Sequence, residues 1–569
     1  MKPVFTCLLI AIFGAAGAAQ TPANAAKPAL GAVIEGIVTK ELGSEPVKKV
    51  LIELIAENQA EGGDYTAVTG ADGLFRIEGI VPGRYRLFAE RNGFLEVDKH
   101  RSRSEGRVVM LAAGQELKDL QIRLQAAAVV RGRVTDEDGE PLASAEVAVA
   151  RQTFVSGRSR WEQAGAERTN DLGEYRIAGL AAGNYFVSVN PPPDFKSLIE
   201  ARGAVAAAQT QKANDKPAAT PLTSYQTTYY PGTTDRGQAA PIQLHAGDEI
   251  PVDFSLMPSP SLSIRGSVVN LSPESSATIM LQSRDFNLVL NGAEVHKDGS
   301  FVIRDVEPGV YTIVAAVTDA PVPMMARQSL QVAANSVEDL RLTPQPGGWI
   351  QGRLRVENKS GGRADLGQMF LTLSSADGDD EMLGAFSMGD GFSRVARVAA
   401  DGSFEWKSVP PGNYYVQLGG DTGGNGNLFL KSALAGNHDV GDSGIAVNGG
   451  AVVLDVVAST NGAVVAGMVT DQKDGPVANA VVVAAPEARR RGRVERYRKT
   501  VTDQNGQFTL RGIASGDYTL FAWESVEGEA YYNADFLKIY EGQGRPLHAD
   551  EGEQKSVQLV AIPASQEQR

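Results

Sequence analysis

The segment Asp72-Gly73-Leu74-Phe75-Arg76-Ile77-Glu78-Gly79-Ile80-Val81-Pro82-Gly83-Arg84-Tyr85-Arg86-Leu87 holds two turns and the beginnings of two strands. Asp-Gly supplies a tight turn whose backbone takes positive φ. Phe75 and Ile77 then share one face of a strand, because strand side chains alternate with period two. Gly83 opens a second turn, and Tyr85, Leu87 and Ala89 begin another alternating strand. The pattern recurs downstream as Gly173, Tyr175, Ile177, Gly183 and Tyr185; Gly299, Phe301, Ile303, Gly309 and Tyr311; Gly402, Phe404, Trp406, Gly412 and Tyr414; and Gly506, Phe508, Leu510, Gly516 and Tyr518. The two glycines stand ten residues apart in every copy, which marks an internal repeat. The Tyr hydroxyl is expected to reach a backbone partner at the rim of a sandwich.

Each signature has landmarks on both sides. A short strand begins upstream around Gly36, Gly132, Gly266, Gly352 and Gly467. Pro46, Pro141, Pro273 and Pro476 then precede alternating strands through Val50, Ala145, Ala277 and Ala480. The fourth copy has Ser360-Gly361-Gly362 in place of the proline. Closing strands follow, as at Leu120 to Leu124, Val252 to Leu256 and Val452 to Val457. This spacing predicts an all-β protein, a tandem array of five β-sandwich modules over 31–126, 127–259, 260–345, 346–459 and 460–569. The linkers at Pro258 to Ser261 and Pro344 to Gly348 are minimal, which predicts a semi-rigid string of domains.

The composition narrows the class. A chain of 569 residues divides into several domains, and 62 Gly with 28 Pro is the turn chemistry of many short strands. A net charge of -14 argues against nucleic-acid or anionic-membrane partners. Residues 1–25 read as a signal peptide: Lys2, an apolar run from Val4 to Ala19, then small-residue sites at Ala16-Gly17-Ala18 or Ala23-Asn24-Ala25. The one cysteine, Cys7, lies inside it, so the mature chain is expected to have no disulfide, thiolate or Cys-ligated metal. No integral membrane segment is expected after cleavage.

The Gly-x-Val-Thr start, the turn proline and the Asp-Gly-x-Phe…Gly-x-Tyr signature together resemble the carboxypeptidase regulatory-like domain, a prealbumin-like, Ig-like or CnaB-like β-sandwich. The resemblance covers most of the chain after the signal peptide. It implies an accessory module of the kind that flanks peptidases, stalks, adhesins and receptors, and by fold analogy it allows carbohydrate binding. The Lys-Asn isopeptide crosslink of CnaB-type modules is not expected. The early strands around Val134, Val268, Leu354 and Val469 offer no suitably placed Lys, and closing strands such as Leu120 to Leu124 lack Asn.

Few residue groups suggest chemistry. None of His100, His245, His296, His438 and His548 has Glu three residues on, so the zinc carboxypeptidase pair is absent. Gly441-Asp442-Ser443-Gly444 matches a serine-protease neighbourhood without that family's histidine motif, and reads as a surface turn. Acidic clusters at Asp136 to Glu140 and Asp377 to Glu381 carry oxygen ligands but no EF-hand spacing, and read as solvated loops. The basic run Arg489 to Arg493, continuing to Arg498-Lys499, reads as a solvated hairpin, with an acidic neighbour or acidic polymer as the alternative. Segment 191–224, opened by Pro191-Pro192-Pro193, reads as a flexible insertion ending at the aromatic turn Tyr229-Tyr230-Pro231-Gly232.

The candidate ligand-binding residues are Phe521, Trp523, Tyr531 and Tyr532. If Tyr518, Leu520 and Ala522 face the core, Phe521 and Trp523 point the other way. An outward aromatic group suits stacking on sugar rings or a protein partner, and burial under the C-terminal strands with Phe536 and Tyr540 is the competing expectation. The expected function is a non-catalytic, exported binding or scaffold protein, periplasmic, cell-surface or secreted, with a polysaccharide or cell-surface protein as partner and carbohydrate as the first ligand class. No cofactor, metal or catalytic residue is expected. The alternatives are a spacer or adhesin making protein contacts, and an accessory subunit of a secreted hydrolase.

Overall fold

The computed structural model describes residues 31–59, 62–96, 106–192, 223–260, 262–272, 274–284, 289–333, 335–357, 366–378, 383–384, 392–420 and 427–564. The expected signal peptide, most of the 191–224 insertion, Pro273, the Ser360-Gly361-Gly362 loop and residues 379–381 of the second acidic cluster lie outside the described residues.

The fold is five sandwiches built to one plan. In module one the first strand, Ala32–Lys40, runs antiparallel to the signature strand Leu74–Ile80 and parallel to the closing strand Glu116–Ala126. The facing sheet orders Tyr65–Val68, Leu51–Ala56, Gly83–Glu90 and Arg107–Leu111. The same mixed pairing recurs around Ala128–Thr135, Leu262–Val268, Gly348–Glu357 and Ala463–Thr470. Each sandwich buries the alternating residues read from the sequence, such as Val50, Ile52 and Leu54 in module one and Ala480, Val482 and Ala484 in module five.

The signature works by close approach. The aromatic at its third position lies directly across from the glycine of the first strand: Phe75 from Gly36, Tyr175 from Gly132, Phe301 from Gly266, Phe404 from Gly352 and Phe508 from Gly467. A Cβ on Gly352 would lie 2.6 Å from the Phe404 ring and 2.1 Å from the Leu454 carbonyl oxygen, so only glycine admits both. The turn glycines have φ of 72° to 86°, and a Cβ there would meet a first-strand carbonyl oxygen at 2.5–2.6 Å. The Tyr hydroxyls donate to the carbonyl four residues back: Tyr85 to Val81 at 2.5 Å, Tyr185 to Ala181 at 2.9 Å, Tyr311 to Glu307 at 2.8 Å and Tyr414 to Pro410 at 2.9 Å.

The modules do not form a string. Module five folds back against modules one, two and four, and this corrects the extended array expected from the short linkers. Val314, Ala316 and Met325 of module three are buried in one apolar cluster with the core of module four. Gln504, in the signature turn of module five, accepts from the Met110 N–H at 3.0 Å and donates to its carbonyl at 2.8 Å. That pair covers Arg107–Leu111, an edge strand of module one that would otherwise present open hydrogen-bonding groups.

Gly402→Ala tests the signature locally. We predict a loss of at least about 1–2 kcal/mol from the left-handed backbone alone, with more from the 2.5 Å approach to the Leu354 carbonyl oxygen. Hydrogen exchange should rise in the module-four sandwich and stay unchanged in module one.

Candidate functional site at the module junctions

The junctions converge on one hairpin. Module two extends strands Glu146–Val155 and Arg158–Arg168 around a two-residue turn with φ of 48° at Ser156 and 75° at Gly157. Positive φ at both positions is the turn that matches strand twist. The hairpin is long enough for its tip to leave its own sandwich and lie between modules four and five. On the module-five side, Ser156 N–H donates to Glu529 at 2.6 Å, and Asn533 Nδ2 donates to the Gly157 carbonyl at 2.8 Å. Gly157 lies against the backbone of Tyr532, where a Cβ would come within 2.5 Å of the carbonyl carbon. On the module-four side, Arg158 donates to the carbonyls of Asp377 and Ala376, and Arg160 to that of Gly378 at 2.8 Å. Arg327 of module three meets the Asp377 carboxylate at 2.5 Å. The described end of the second acidic cluster is therefore a docking loop.

The four sequence candidates lie beside this tip. Phe521 and Trp523 do point away from Tyr518, Leu520 and Ala522, into a second apolar cluster. The expectation of an exposed face is corrected: Phe521 is 0% exposed, Trp523 1% and Tyr531 2%, while Tyr532 is half-buried. A C-terminal helix, Ala534–Tyr540, closes over them. Asn533 caps it by accepting from the N–H groups of Asp535 and Phe536, both at 2.9 Å. Phe521 stacks on Trp523 at 5.2 Å, Trp523 meets Tyr540 edge-on at 5.9 Å, and Phe536 meets Phe154 of the module-two hairpin at 6.1 Å. Tyr532 packs edge-on against Tyr497 at 4.9 Å and Tyr531 at 4.6 Å. A sugar could stack on Phe521 or Trp523 only by displacing the helix. Burying side chains of this size gains about 1.5–3 kcal/mol each, and this stabilises module five itself, because every buried member of the cluster belongs to that module; Phe154 is the ring that joins it to module two.

The basic run is also absorbed. Arg490 donates through Nε and Nη2 to Asp442 of module four at 2.9 and 2.7 Å, and Arg496 reaches the other carboxylate oxygen at 3.3 Å. Arg493 lies 3.9 Å over the Tyr415 ring, and Arg491 pairs with Glu541 at 2.8 Å. This is the acidic-neighbour alternative, not the solvated hairpin. Asp442, the acid of the Gly-Asp-Ser-Gly turn, therefore serves as an anchor, while the Ser443 hydroxyl donates to the Asp439 carbonyl at 2.9 Å. Burial pushes the Asp442 carboxyl up, but the Arg490 hydrogen bond and the charges of Arg496, Arg490 and Arg493 outweigh it and hold the group below its usual range. In the first acidic cluster, Asp136 accepts from the N–H groups of Asp138 and Glu140 at 3.0 and 2.9 Å, closing a turn on itself. Among the described residues no group of three or more His, Cys, Asp and Glu could hold a metal ion. No described helix is long and apolar enough to cross a membrane.

Between modules one, two and five lies an open cleft of 1110 Å³ lined by Arg84, Arg86, Arg151, Lys499, Arg511 and Glu57 among others. Glu57 is shared by Arg84 at 2.8 Å and Arg86 at 2.6 Å. Burial raises the nearby Glu527 carboxyl, with the Arg151 charge opposing it.

Modular sandwiches with a mixed first sheet and a Tyr-cornered signature define a tandem all-β class. Residues 33–125, 129–214 and 464–542 match the carboxypeptidase regulatory-like domain. No curated protein matches the chain. Among solved structures, the Bacillus anthracis TIE protein aligns at 12% identity over 56% of this chain and 51% of its own, with a TM-score of 0.16. The chain thus spans about half the length of that protein. A streptococcal ancillary pilin aligns at 11% over 56% and 99%, TM-score 0.18. GBS52, the minor pilin of Streptococcus agalactiae, aligns at 14% over 41% and 97%, TM-score 0.20. At these scores the likeness carries no argument about function or about the arrangement of the modules.

Two predictions follow from the junctions. Gly157→Ala should raise hydrogen exchange across residues 530–540 while both flanking sandwiches keep their protection; unchanged exchange there would refute tip docking. A depressed Asp442 stabilises the folded state above its unfolded value of about 4, and that contribution is lost as pH falls through the lower folded value. Small-angle scattering should therefore show the module four–five contact loosening on acidification below about pH 4, at higher pH in Arg490→Ala than in the native chain.

Proposed function

We propose that the chain is an exported, non-catalytic scaffold that presents partner proteins with a locked frame of five sandwiches. The observation that supports it most directly is the module-two hairpin wedged between modules four and five. Binding by a preformed frame avoids the ordering cost that a flexible string would meet. The side chains that looked chemical in sequence are spent on holding this frame: Asp442, Asp377 and the arginines of module five. Module four also leaves large apolar side chains open on both sheets, Trp349 and Val453 on one and Phe370 and Val395 on the other. Aromatic groups such as Trp349 and Phe370 are enriched in protein interfaces.

Export rests on the charged, apolar and small-residue order of residues 1–25. Photo-crosslinking from positions 349 and 370 in the native cell, with mass spectrometry of the products, tests the scaffold reading. Crosslinks to one or a few defined proteins are expected, and a secreted hydrolase among them would make the chain an accessory subunit. Turnover of peptide or glycoside substrates by the purified chain, or crosslinks to no protein at all, would refute it.

A further inference from the structure

A second hollow lies at the junction of modules two and three, formed by residues the sequence did not single out as a site. It has a volume of 460 Å³, within the range of small-ligand pockets. Trp161, on the outgoing strand of the module-two hairpin, meets Phe186 at 4.2 Å with the rings inclined by 76°. Both are half-buried, so the two rings form a corner that still faces solvent. Tyr229 makes the floor. Its hydroxyl donates to Glu307 of module three at 2.7 Å and accepts from Arg236 at 3.0 Å, and Arg236 itself pairs with Glu307 at 3.0 Å. Asp235 and Gln331 complete the polar lining.

We propose that this pocket binds a neutral sugar ring. Four features select that class. The ring corner offers apolar surface for the C–H face of a pyranose. Asp235 already accepts from Gly237 N–H at 2.9 Å and from Gln238 at 3.1 Å, and an ionised carboxylate keeps lone pairs for ligand hydroxyls. Gln331 is exposed at the rim and offers an amide that both donates and accepts. The Arg236 charge is balanced by Glu307, so the described lining residues hold no free cation for an acidic ligand, and Asp235 repels one. A purely apolar guest would desolvate the lone pairs that Asp235 still holds open and pair none of them. Because module three supplies Glu307 and Gln331 and module two supplies the rings, a bound sugar would also brace that junction. The proposal is independent of the scaffold reading: it concerns a ligand, and the frame exists without it.

Titration of the full chain with cellohexaose, xylohexaose, maltohexaose and laminarihexaose, followed by tryptophan fluorescence and calorimetry, tests it. Saturable binding of at least one is expected. Trp161→Ala should weaken it about tenfold or more, the effect of removing an aromatic anchor. Gln331→Trp, at an exposed rim position, should block the pocket without touching a core, and Leu42→Ala, at an exposed position in module one, should leave binding unchanged. The proposal is overturned if no neutral oligosaccharide binds saturably, or if binding survives both pocket variants. It is equally overturned if only polygalacturonate or a proline-rich peptide occupies the pocket.

Discussion

A β-hairpin can extend beyond its own sheet only if the groups at its far end find partners elsewhere, since unpaired backbone polar groups are costly once water is excluded. In module two that requirement is met by two other modules. Glu529 and Asn533 receive one side of the turn, and the backbone of Ala376 to Gly378 receives Arg158 and Arg160 on the other. Phe154 brings an apolar ring to the same place and packs on Phe536. The insertion ties modules two, four and five together at one place. The Arg490–Asp442 contact and the Gln504 clasp on module one add further contacts between module five and its neighbours.

The repeating chassis was almost wholly legible in the sequence, for a physical reason. A turn that needs positive φ accepts glycine, and a first strand crossed by an aromatic ring and a closing-strand carbonyl accepts nothing larger. The turn constraint acts within a few residues and leaves a fixed spacing, and the first-strand constraint returns a glycine in every copy. The alternating cores and the Tyr corners followed from the same local logic. The arrangement of modules did not, because it depends on contacts between residues hundreds of positions apart, such as Met110 with Gln504. Short linkers say that neighbours are close; they do not forbid module five from returning to module one.

The candidate site shows where period-two reasoning ends. Alternation correctly placed Phe521 and Trp523 on the face away from Leu520, yet alternation cannot say whether a face is covered. The cover was written nearby: Asn533 as a cap, Asp535 in the first turn, Lys538 near the end, and Phe536 and Tyr540 four residues apart on one side of a helix. The competing expectation placed the cover in strands with Phe536 and Tyr540; the cover is there, as a helix. Trp161 and Phe186 were harder to find. Phe186 follows the signature tyrosine and must point outward, which alternation does reveal, but its partner lies on another strand and its polar neighbours come partly from module three.

Copies of one sandwich diverge where the chassis does not constrain them, and the energetics explain which differences matter. Outward positions on a strand are free to change because the core does not depend on them. In module three they became Val314 and Ala316, and were consumed by module four; in module five they became Phe521 and Trp523, and were consumed by a helix and a neighbouring hairpin. Large apolar side chains on an outward face favour burial strongly enough that a tandem array tends to fold back on itself. The outward aromatics that remain partly open, Trp161 and Phe186 at a junction and Trp349 and Phe370 on module four, are therefore those that the chain's own packing left unfilled. An exposed ring in a protein that has buried most of its others marks a surface kept available for something outside the chain.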